Sequence, residues 1–260
     1  MGVLNITPDS FSDGGRYLDP EAAVAQALKL VEEGADILDL GAESTRPGAL
    51  PVTDREELER LLPVLKRIRK EVLIPISIDT IKPEVAKECL DAGADIINDV
   101  SGLNRSGSDM AKVVKKFGAG LVLMHGRGTP ETMQSLTHYE DVVTEVTREL
   151  SGSIQMATDA GIEREQIVVD PGLGFAKTAE QNLEILKKVS LFHRLGFPVL
   201  AGPSRKAFIG KVTGRETKDR MFGTAACVAA CVRAGVQILR VHEVGAMRDV
   251  ILMTEAIFKT

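Results

Sequence analysis

One repeated pattern constrains the fold of this chain more than any other feature of its sequence. An amphipathic segment ends at a glycine, a short apolar run follows, and the run ends in polar residues; the clearest copies lie at 33–41, 91–99, 117–125, 195–202 and 234–242. A glycine after a helix favours the left-handed C′ conformation that ends it. Runs of Val, Ile and Leu between helices are typical of buried parallel strands. The pattern therefore predicts alternating strands and helices around a parallel sheet.

Three further apolar runs complete a set of eight strands: Val3–Ile6, Pro75–Asp79 and Gln166–Asp170. No strand is followed by the glycine-rich fingerprint of a dinucleotide site or by a Walker A loop. The 260 residues match the usual length of a (β/α)₈ barrel and contain no linker or low-complexity break. We expect an α/β fold, a (β/α)₈ TIM barrel, as a single domain over residues 1–260.

Local signals place several helix boundaries. Asp19 followed by Pro20 is typical of a helix start, and Thr53 with Glu56 forms a capping-box pattern. Pro63 lies inside the second helix, so we expect a kink or a split there. Other helices are expected to begin at Pro83, Thr178 and Lys218 and to span 139–160 and 244–258.

Composition excludes several classes of partner. The net charge of −5 disfavours broad binding to nucleic acid or to anionic membranes. Trp is absent, which disfavours a stacking platform for single strands. No apolar run reaches the roughly 20 residues that span a bilayer. Three cysteines and no recognisable signal peptide favour reduced thiols in the cytoplasm.

Chemistry in such barrels is concentrated at the carboxyl ends of the strands. Asn5 ends the first strand and is followed by a polar loop that carries Phe11 and Asp13. The polar and pocket-lining candidates at the other strand ends are Asp39, Asp79, Asn98, Asp99, Met124, His125, Asp170, Gly202, Ser204, Lys206, Arg240 and His242. So many polar groups at one rim are hard to explain by packing alone.

The distribution of charge suggests a pocket with two ends. Asp79, Asp170 and Asn98 suit a planar heterocycle with an amidine-like edge, because a carboxylate accepts two parallel N–H bonds from such an edge. Arg240 and His242 are two residues apart on one strand, so both should point to one face and form an anion clamp. Lys206 and the Ser204 region would add donors beside it.

Each assignment has a structural alternative. Asp79 could cap the following helix, Asn98 could close a turn, and Arg240 could pair with Glu243. Lys206 could be a Schiff-base lysine, as in barrel aldolases, with its pKa slightly lowered by Arg205. The remaining histidines, His138 and His193, are interpreted as surface or structural residues.

The motifs together resemble those of the dihydropteroate synthases, the sulfonamide targets of folate biosynthesis. The resemblance spans nearly the whole chain and rests on 5–15, 41–48, 77–80, 97–99, 124–130, 170–175, 204–206 and 240–242. It implies condensation of 6-hydroxymethyl-7,8-dihydropterin pyrophosphate with 4-aminobenzoate in an SN1-like, Mg²⁺-assisted reaction. Homodimers are usual in this family, and the stretch 224–232 is our interface candidate. Family members usually carry a further segment before the first strand.

The resemblance also implies roles for individual residues. Asp79, Asn98, Asp170 and Lys206 would hold the pterin, with Asp39 nearby and Met124, Phe175 and Gly202 lining its pocket. Asn5 would ligate Mg²⁺, and Ser204, Arg240 and His242 would bind pyrophosphate. Phe11, Thr45, Arg46 and Pro47 would shape the aminobenzoate site, with Asp79, Asp170, Lys206 and Arg46 as catalytic groups. Asp13 is expected to meet Arg46 when the mobile lid over residues 7–15 closes.

Two departures and three rival functions accompany this interpretation. Gly126 and Ala207 replace a bulkier residue and a serine that are common in the family. A pterin-binding methyltransferase would share the pterin-holding acids but would not need the first loop. A non-catalytic pterin-binding paralogue would not need the retained Arg240 and His242. A Schiff-base aldolase would be identified by borohydride trapping on Lys206.

Overall fold

The computed structural model describes residues 1–7, 20–44 and 51–258 as alternating strands and helices. The strands are β1 Gly2–Asn5, β2 Leu38–Gly41, β3 Ile76–Asp79, β4 Ile96–Asp99, β5 Gly120–Met124, β6 Ile167–Asp170, β7 Leu200–Ala201 and β8 Ile238–Leu239. The helices are α1 Pro20–Glu32, α2 Asp54–Glu71, α3 Pro83–Asp91, α4 Gly107–Phe117, α5 Val142–Asp159, α6 Ala179–Lys187, α7 Ala207–Thr213, α8 Met221–Arg233 and α9 Val244–Phe258. Short 3₁₀ segments lie at 133–135, 164–166, 189–195 and 217–219.

The strands form a parallel barrel. β1 to β6 pair in sequence order, and β7 pairs with β8. Single bridges, Val169 with Val199 and Gly2 with Val241, join the two sheets at both seams. Val3 N donates to the Val241 carbonyl over 3.0 Å, which reinforces one seam. The (β/α)₈ TIM barrel expected from the sequence is confirmed; its extent as a single domain over residues 1–260 stays a prediction.

The two faces of the strands differ in chemistry. Residues such as Leu40, Ile78 and Ile97 point outward and join the helices in one fully buried apolar cluster. Alternate residues point to the opposite face, into the barrel. This inner face carries polar groups, among them the fully buried Asp39 and Ser77. Apolar packing between the outer strand faces and the helices therefore stabilises a barrel whose inner face carries polar groups at the mouth.

Helix boundaries follow the predicted caps in most places. Thr53 and Glu56 form the expected capping box, with Thr53 N donating to Glu56 Oε2 over 2.8 Å. Pro63 lies within a continuous α2, so the helix is not split there, and the alternative of a kink stays a prediction. The helix persists because its buried face packs against the barrel, and tertiary packing supplies most helical stability.

Two helix starts differ from the sequence expectation by a few residues. α5 begins at Val142 rather than at 139, since the Asp141 side chain caps it by accepting from Thr144 N over 2.7 Å. Lys218 lies in a 3₁₀ segment, and α8 begins at Met221. Asp19 lies outside the described residues. None of the described helices is long and apolar enough to cross a membrane.

Candidate active site

Arg240 forms the centre of the polar barrel mouth. Its Nε donates to Asp39 Oδ2 over 2.6 Å, and its Nη2 donates to Asp79 Oδ2 over 2.9 Å. Asn98 Nδ2 donates to the same Asp39 oxygen over 3.3 Å. Strands β2, β3, β4 and β8 therefore meet in one hydrogen-bonded group. The positions Asn5, Gly41, Asp79 and Asn98 are successive partners in the sheet register, which places Asn5 at the same level.

These contacts decide between the alternatives left open by the sequence. The pairing of Arg240 with Glu243 is wrong, because Glu243 accepts from Arg205 Nε over 2.6 Å. Asp79 does not cap α3, whose N-cap position is Lys82. Asn98 binds Asp39 rather than closing a turn.

Burial shifts the pKa values of the acids at this mouth. Burial raises the pKa of Asp170 to about 6, although a hydrogen bond from Gly172 N over 2.7 Å opposes the shift. Burial also raises the pKa of Asp79, and Asp39 adds to this effect while Arg240 opposes it. A single guanidinium thus binds the carboxylates of both Asp39 and Asp79.

Lys206 lies against an aromatic ring, and the charges of Asp170 and Asp79 also act on it. Its Nζ is 4.3 Å from the ring centroid of Phe175. Burial, followed by the charge of Arg240, lowers the pKa of Lys206 to about 8. Arg205, expected to lower this pKa, instead pairs with Glu243.

The remaining described candidates complete the rim. Met124 is buried and pairs in the sheet register with Asp170. Gly202 lies beside Arg240, since a Cβ built on it would be 3.7 Å from the Arg240 Cβ. The His242 ring Nδ1 lies 2.9 Å from Ser204 Oγ. Arg240 and His242 therefore have different partners here, and their joint role as an anion clamp stays a prediction.

Five predicted site residues lie outside the described part of the chain. They are Phe11, Asp13, Thr45, Arg46 and Pro47. The same holds for the predicted lid beyond Thr7. Their assignment to the aminobenzoate site stays a prediction.

A cleft opens beside these groups and includes residues that the sequence did not indicate. Asp79 and Phe175 line it together with Thr80, Ser101, Asn104, Arg105, Arg127 and Met133. Sequence reasoning also missed Lys177, which is buried and contacts His125. A lysine just before a helix is ordinarily solvent-exposed, and no motif marked this one.

Comparison with known proteins identifies the family. The pterin binding enzyme family matches residues 1–242. A dihydropteroate synthase of Synechocystis sp. (strain PCC 6803) is 46% identical over 260 residues, covering 100% of this chain and 90% of the relative. The chain therefore belongs to the pterin-binding enzymes and, among them, to the dihydropteroate synthases.

Solved structures agree in fold and in family. A Clostridium difficile dihydropteroate synthase, solved in the presence of pteroic acid, has a TM-score of 0.93 and 44% identity, covering 100% of this chain and 96% of that one. A Xanthomonas albilineans dihydropteroate synthase with 4-aminobenzoic acid has a TM-score of 0.93 and 44% identity, covering 100% and 92%. The methyltransferase, aldolase and non-catalytic alternatives are thereby set aside.

Proposed function

We propose that the described barrel mouth performs the family reaction: 6-hydroxymethyl-7,8-dihydropterin pyrophosphate and 4-aminobenzoate give 7,8-dihydropteroate and pyrophosphate. The observation that carries this proposal is the set of buried acceptors at one rim, Asp79, Asn98 and Asp170, beside Lys206 and Arg240. Relatives of this chain have been solved with pteroic acid and with 4-aminobenzoic acid.

The pterin end of the site follows from unused hydrogen-bond acceptors. Asp170 Oδ1 accepts from Gly172, while its Oδ2 has no hydrogen bond within the described residues. Asp79 Oδ1 and Asn98 Oδ1 likewise have no hydrogen bond within the described residues. The hydrogen bonds of these two side chains use Asp79 Oδ2 and Asn98 Nδ2 instead. A pterin presents a 2-amino group and a ring N–H on one edge. Three acceptors around one mouth match that donor-rich edge, with Met124 and Phe175 against the ring faces.

The pyrophosphate end would use the donors of β8 and the β7–α7 loop. Arg240 donates hydrogen bonds from Nε and Nη2 to two aspartates, and its Nη1 makes no hydrogen bond within the described part of the chain. The carboxylates orient the guanidinium and leave donors for a phosphate oxygen. Lys206, Ser204 and His242 would complete this end.

A magnesium ion fits the donor set. Asn5 ends β1, is partly exposed, and has no side-chain hydrogen bond to any described residue. No group of three His, Cys, Asp or Glu side chains among the described residues is arranged for a metal. Mg²⁺ is commonly held by one or two protein oxygens together with substrate phosphates and water. We infer that Asn5 supplies such an oxygen, and that bound Mg²⁺ would neutralise charge on the leaving pyrophosphate.

The chemistry requires little proton transfer by the protein. The bond between the exocyclic carbon of the pterin and the pyrophosphate oxygen breaks, and the electron pair leaves with pyrophosphate. The cation left on that carbon is delocalised into the pterin ring, next to the carboxyl groups of Asp79 and Asp170. The nitrogen lone pair of 4-aminobenzoate then forms the new C–N bond, and the nitrogen gives up a proton to the released pyrophosphate. The two loops carrying Phe11, Asp13, Thr45, Arg46 and Pro47 would hold the aminobenzoate and exclude water.

We expect pyrophosphate release that requires both substrates and Mg²⁺. The measurement is coupled pyrophosphate detection with the full chain, omitting each substrate in turn and then chelating the metal. Asn5→Ala should raise the Mg²⁺ concentration needed for half-maximal rate at least several-fold. Folded protein that releases no pyrophosphate with both substrates present would refute the proposal, and release without 4-aminobenzoate would indicate simple hydrolysis.

We also propose a homodimer in the cytoplasm. Phe222 on α8 is 81% exposed, and Met253 and Ile257 on α9 are 61% and 65% exposed. The sequence candidate 224–232 belongs to the same helix, although Thr224, Val228 and Cys231 within it are buried. Large exposed apolar side chains on two helices that pack together support an interface on this side of the protein. The three cysteines are free, as expected in a reducing compartment.

A further inference from the structure

Lys177 is a buried lysine outside the set of residues assigned to the reaction, and burial lowers its pKa to about 7. It immediately precedes Thr178, the N-cap of α6, and only 4% of it is exposed. Its Nζ donates to the carbonyl of Gly172 over 3.0 Å and to that of Phe175 over 2.9 Å. The third partner is His125 Nδ1, also at 2.9 Å. In the protonated form three ammonium protons meet three acceptors, and two of these acceptors belong to the loop that carries Phe175.

The histidine that contacts Lys177 is itself held by a second side chain. His125 Nε2 lies 2.9 Å from Glu149 Oε2 on α5. With Lys177 donating to Nδ1, the ring is neutral and its Nε2–H donates to Glu149. Burial, followed by the charge of Lys177, lowers the pKa of His125 to about 4, so the ring stays neutral at neutral pH. Lys177 is thus anchored to β5 and α5, not only to its own loop.

A second set of contacts holds the same loop from the segment before α5 and from α6. Tyr139 Oη donates to the Ala176 carbonyl over 3.0 Å, and the guanidinium of Arg127 lies 3.9 Å from the Tyr139 ring centroid. Asn182 Oδ1 on α6 accepts from Gly174 N over 2.6 Å. Ala176 has a φ of +48°, a conformation that a non-glycine residue keeps only when its surroundings impose it. The position of Phe175 is therefore determined by its supports.

We propose that Lys177 is a positioning residue for pterin binding, acting through the backbone of Gly172 and Phe175. Gly172 N is the donor to Asp170 Oδ1, and Phe175 carries the ring that faces Lys206. Removing the three donors of Lys177 releases the loop on both sides of Phe175 and leaves buried carbonyls unpaired. This inference rests on the proposed function, because it assigns the loop to the pterin site.

The test compares Lys177→Met with Lys187→Met, an exposed lysine on α6 that serves as the matched control. The dissociation constant for 6-hydroxymethyl-7,8-dihydropterin pyrophosphate is measured by calorimetry without 4-aminobenzoate, so that no condensation occurs. We expect Lys177→Met to weaken binding at least tenfold and Lys187→Met to change it less than twofold. Circular dichroism checks that each variant is folded.

A double-mutant cycle separates positioning from simple destabilisation. If Lys177 acts through Phe175, Lys177→Met should weaken binding less than threefold in a Phe175→Ala background. The proposal is overturned if Lys177→Met weakens pterin binding by the same factor in the Phe175→Ala background as in the parent. It is also overturned if folded Lys177→Met binds the pterin as tightly as the parent does. Should Lys177→Met not fold, Lys177→Gln keeps two donors and is expected to give an intermediate affinity; unchanged affinity there also overturns the proposal. Failure of the unsubstituted chain to bind the pterin at all would instead refute the proposed function.

Discussion

Asp170 is the residue on which the proposed pterin site depends most. Its carboxyl is buried and one of its oxygens is held by Gly172 N, so the other is oriented without help from the ligand. Burial raises its pKa to about 6. An ionised carboxylate accepts stronger, charge-assisted hydrogen bonds than the protonated acid does, so the contribution of Asp170 should grow as pH rises through this value.

We therefore predict that Asp170→Asn weakens pterin binding more than tenfold at pH 8, since a hydrogen bond to a charged group is worth roughly 1.5–3 kcal/mol. The ratio of dissociation constants, variant over parent, should grow as pH rises through about 6 and level off above it. Asp79, whose pKa is also raised, is present in both proteins and cancels in the ratio. The ratio of dissociation constants is measured by calorimetry between pH 5 and pH 8.

Asp91→Asn is the matched control for this change, because Asp91 is exposed at the end of α3. It should leave pterin affinity within twofold at every pH. An Asp170→Asn variant that binds the pterin as tightly as the parent at pH 8 would remove Asp170 from the site.

The strand-end rule predicted individual site residues but not their partners. Asp79, Asn98, Asp170 and Arg240 can be selected from the sequence because each directly ends an apolar run. The pairing of Arg240 with Asp39 joins residues 201 positions apart, and no local pattern encodes it. Lys177 was not predicted for a related reason, because its burial depends on contacts with β5, α5 and the loop that carries Phe175.

At the scale of elements, repeated local signals predicted the order of strands and helices. The five glycines expected to end helices, Gly34, Gly93, Gly118, Gly196 and Gly235, all have positive φ. Signals that depend on tertiary contact were less informative. Pro63 would break an isolated helix, but the packed face of α2 keeps it continuous.

The two last strands also show the limit of element prediction. The sequence indicated runs to Gly202 and His242, whereas β7 and β8 contain two residues each. Their short ladder lets the chain turn early, which brings Ser204 next to His242. Apolar composition predicts that a strand exists, but strand length depends on the hydrogen bonds that its neighbours offer.

At the scale of the whole molecule, the exposed apolar side chains of α8 and α9 predict association. We expect the mass of two chains in size-exclusion chromatography with light scattering. Phe222→Asp should shift the protein toward a single chain, because burying a phenylalanine contributes about 1.5–3 kcal/mol and a buried unpaired charge opposes association.

The control for the interface is Leu73→Asp, which changes an equally apolar residue that is 99% exposed just after α2. It should leave the mass unchanged. A parent chain that elutes as a monomer at micromolar concentration, or a Phe222→Asp variant that stays dimeric, would contradict an interface on α8 and α9.

A crystal structure of this chain with 7,8-dihydropteroate would show whether the barrel mouth around Asp170 binds the pterin. We expect the pteridine ring to lie between Met124 and Phe175. Its amino edge should lie within about 2.7–3.2 Å of oxygens of Asp170 and Asn98. Product bound elsewhere on the protein, or in this mouth with those acceptors facing solvent, would contradict the account.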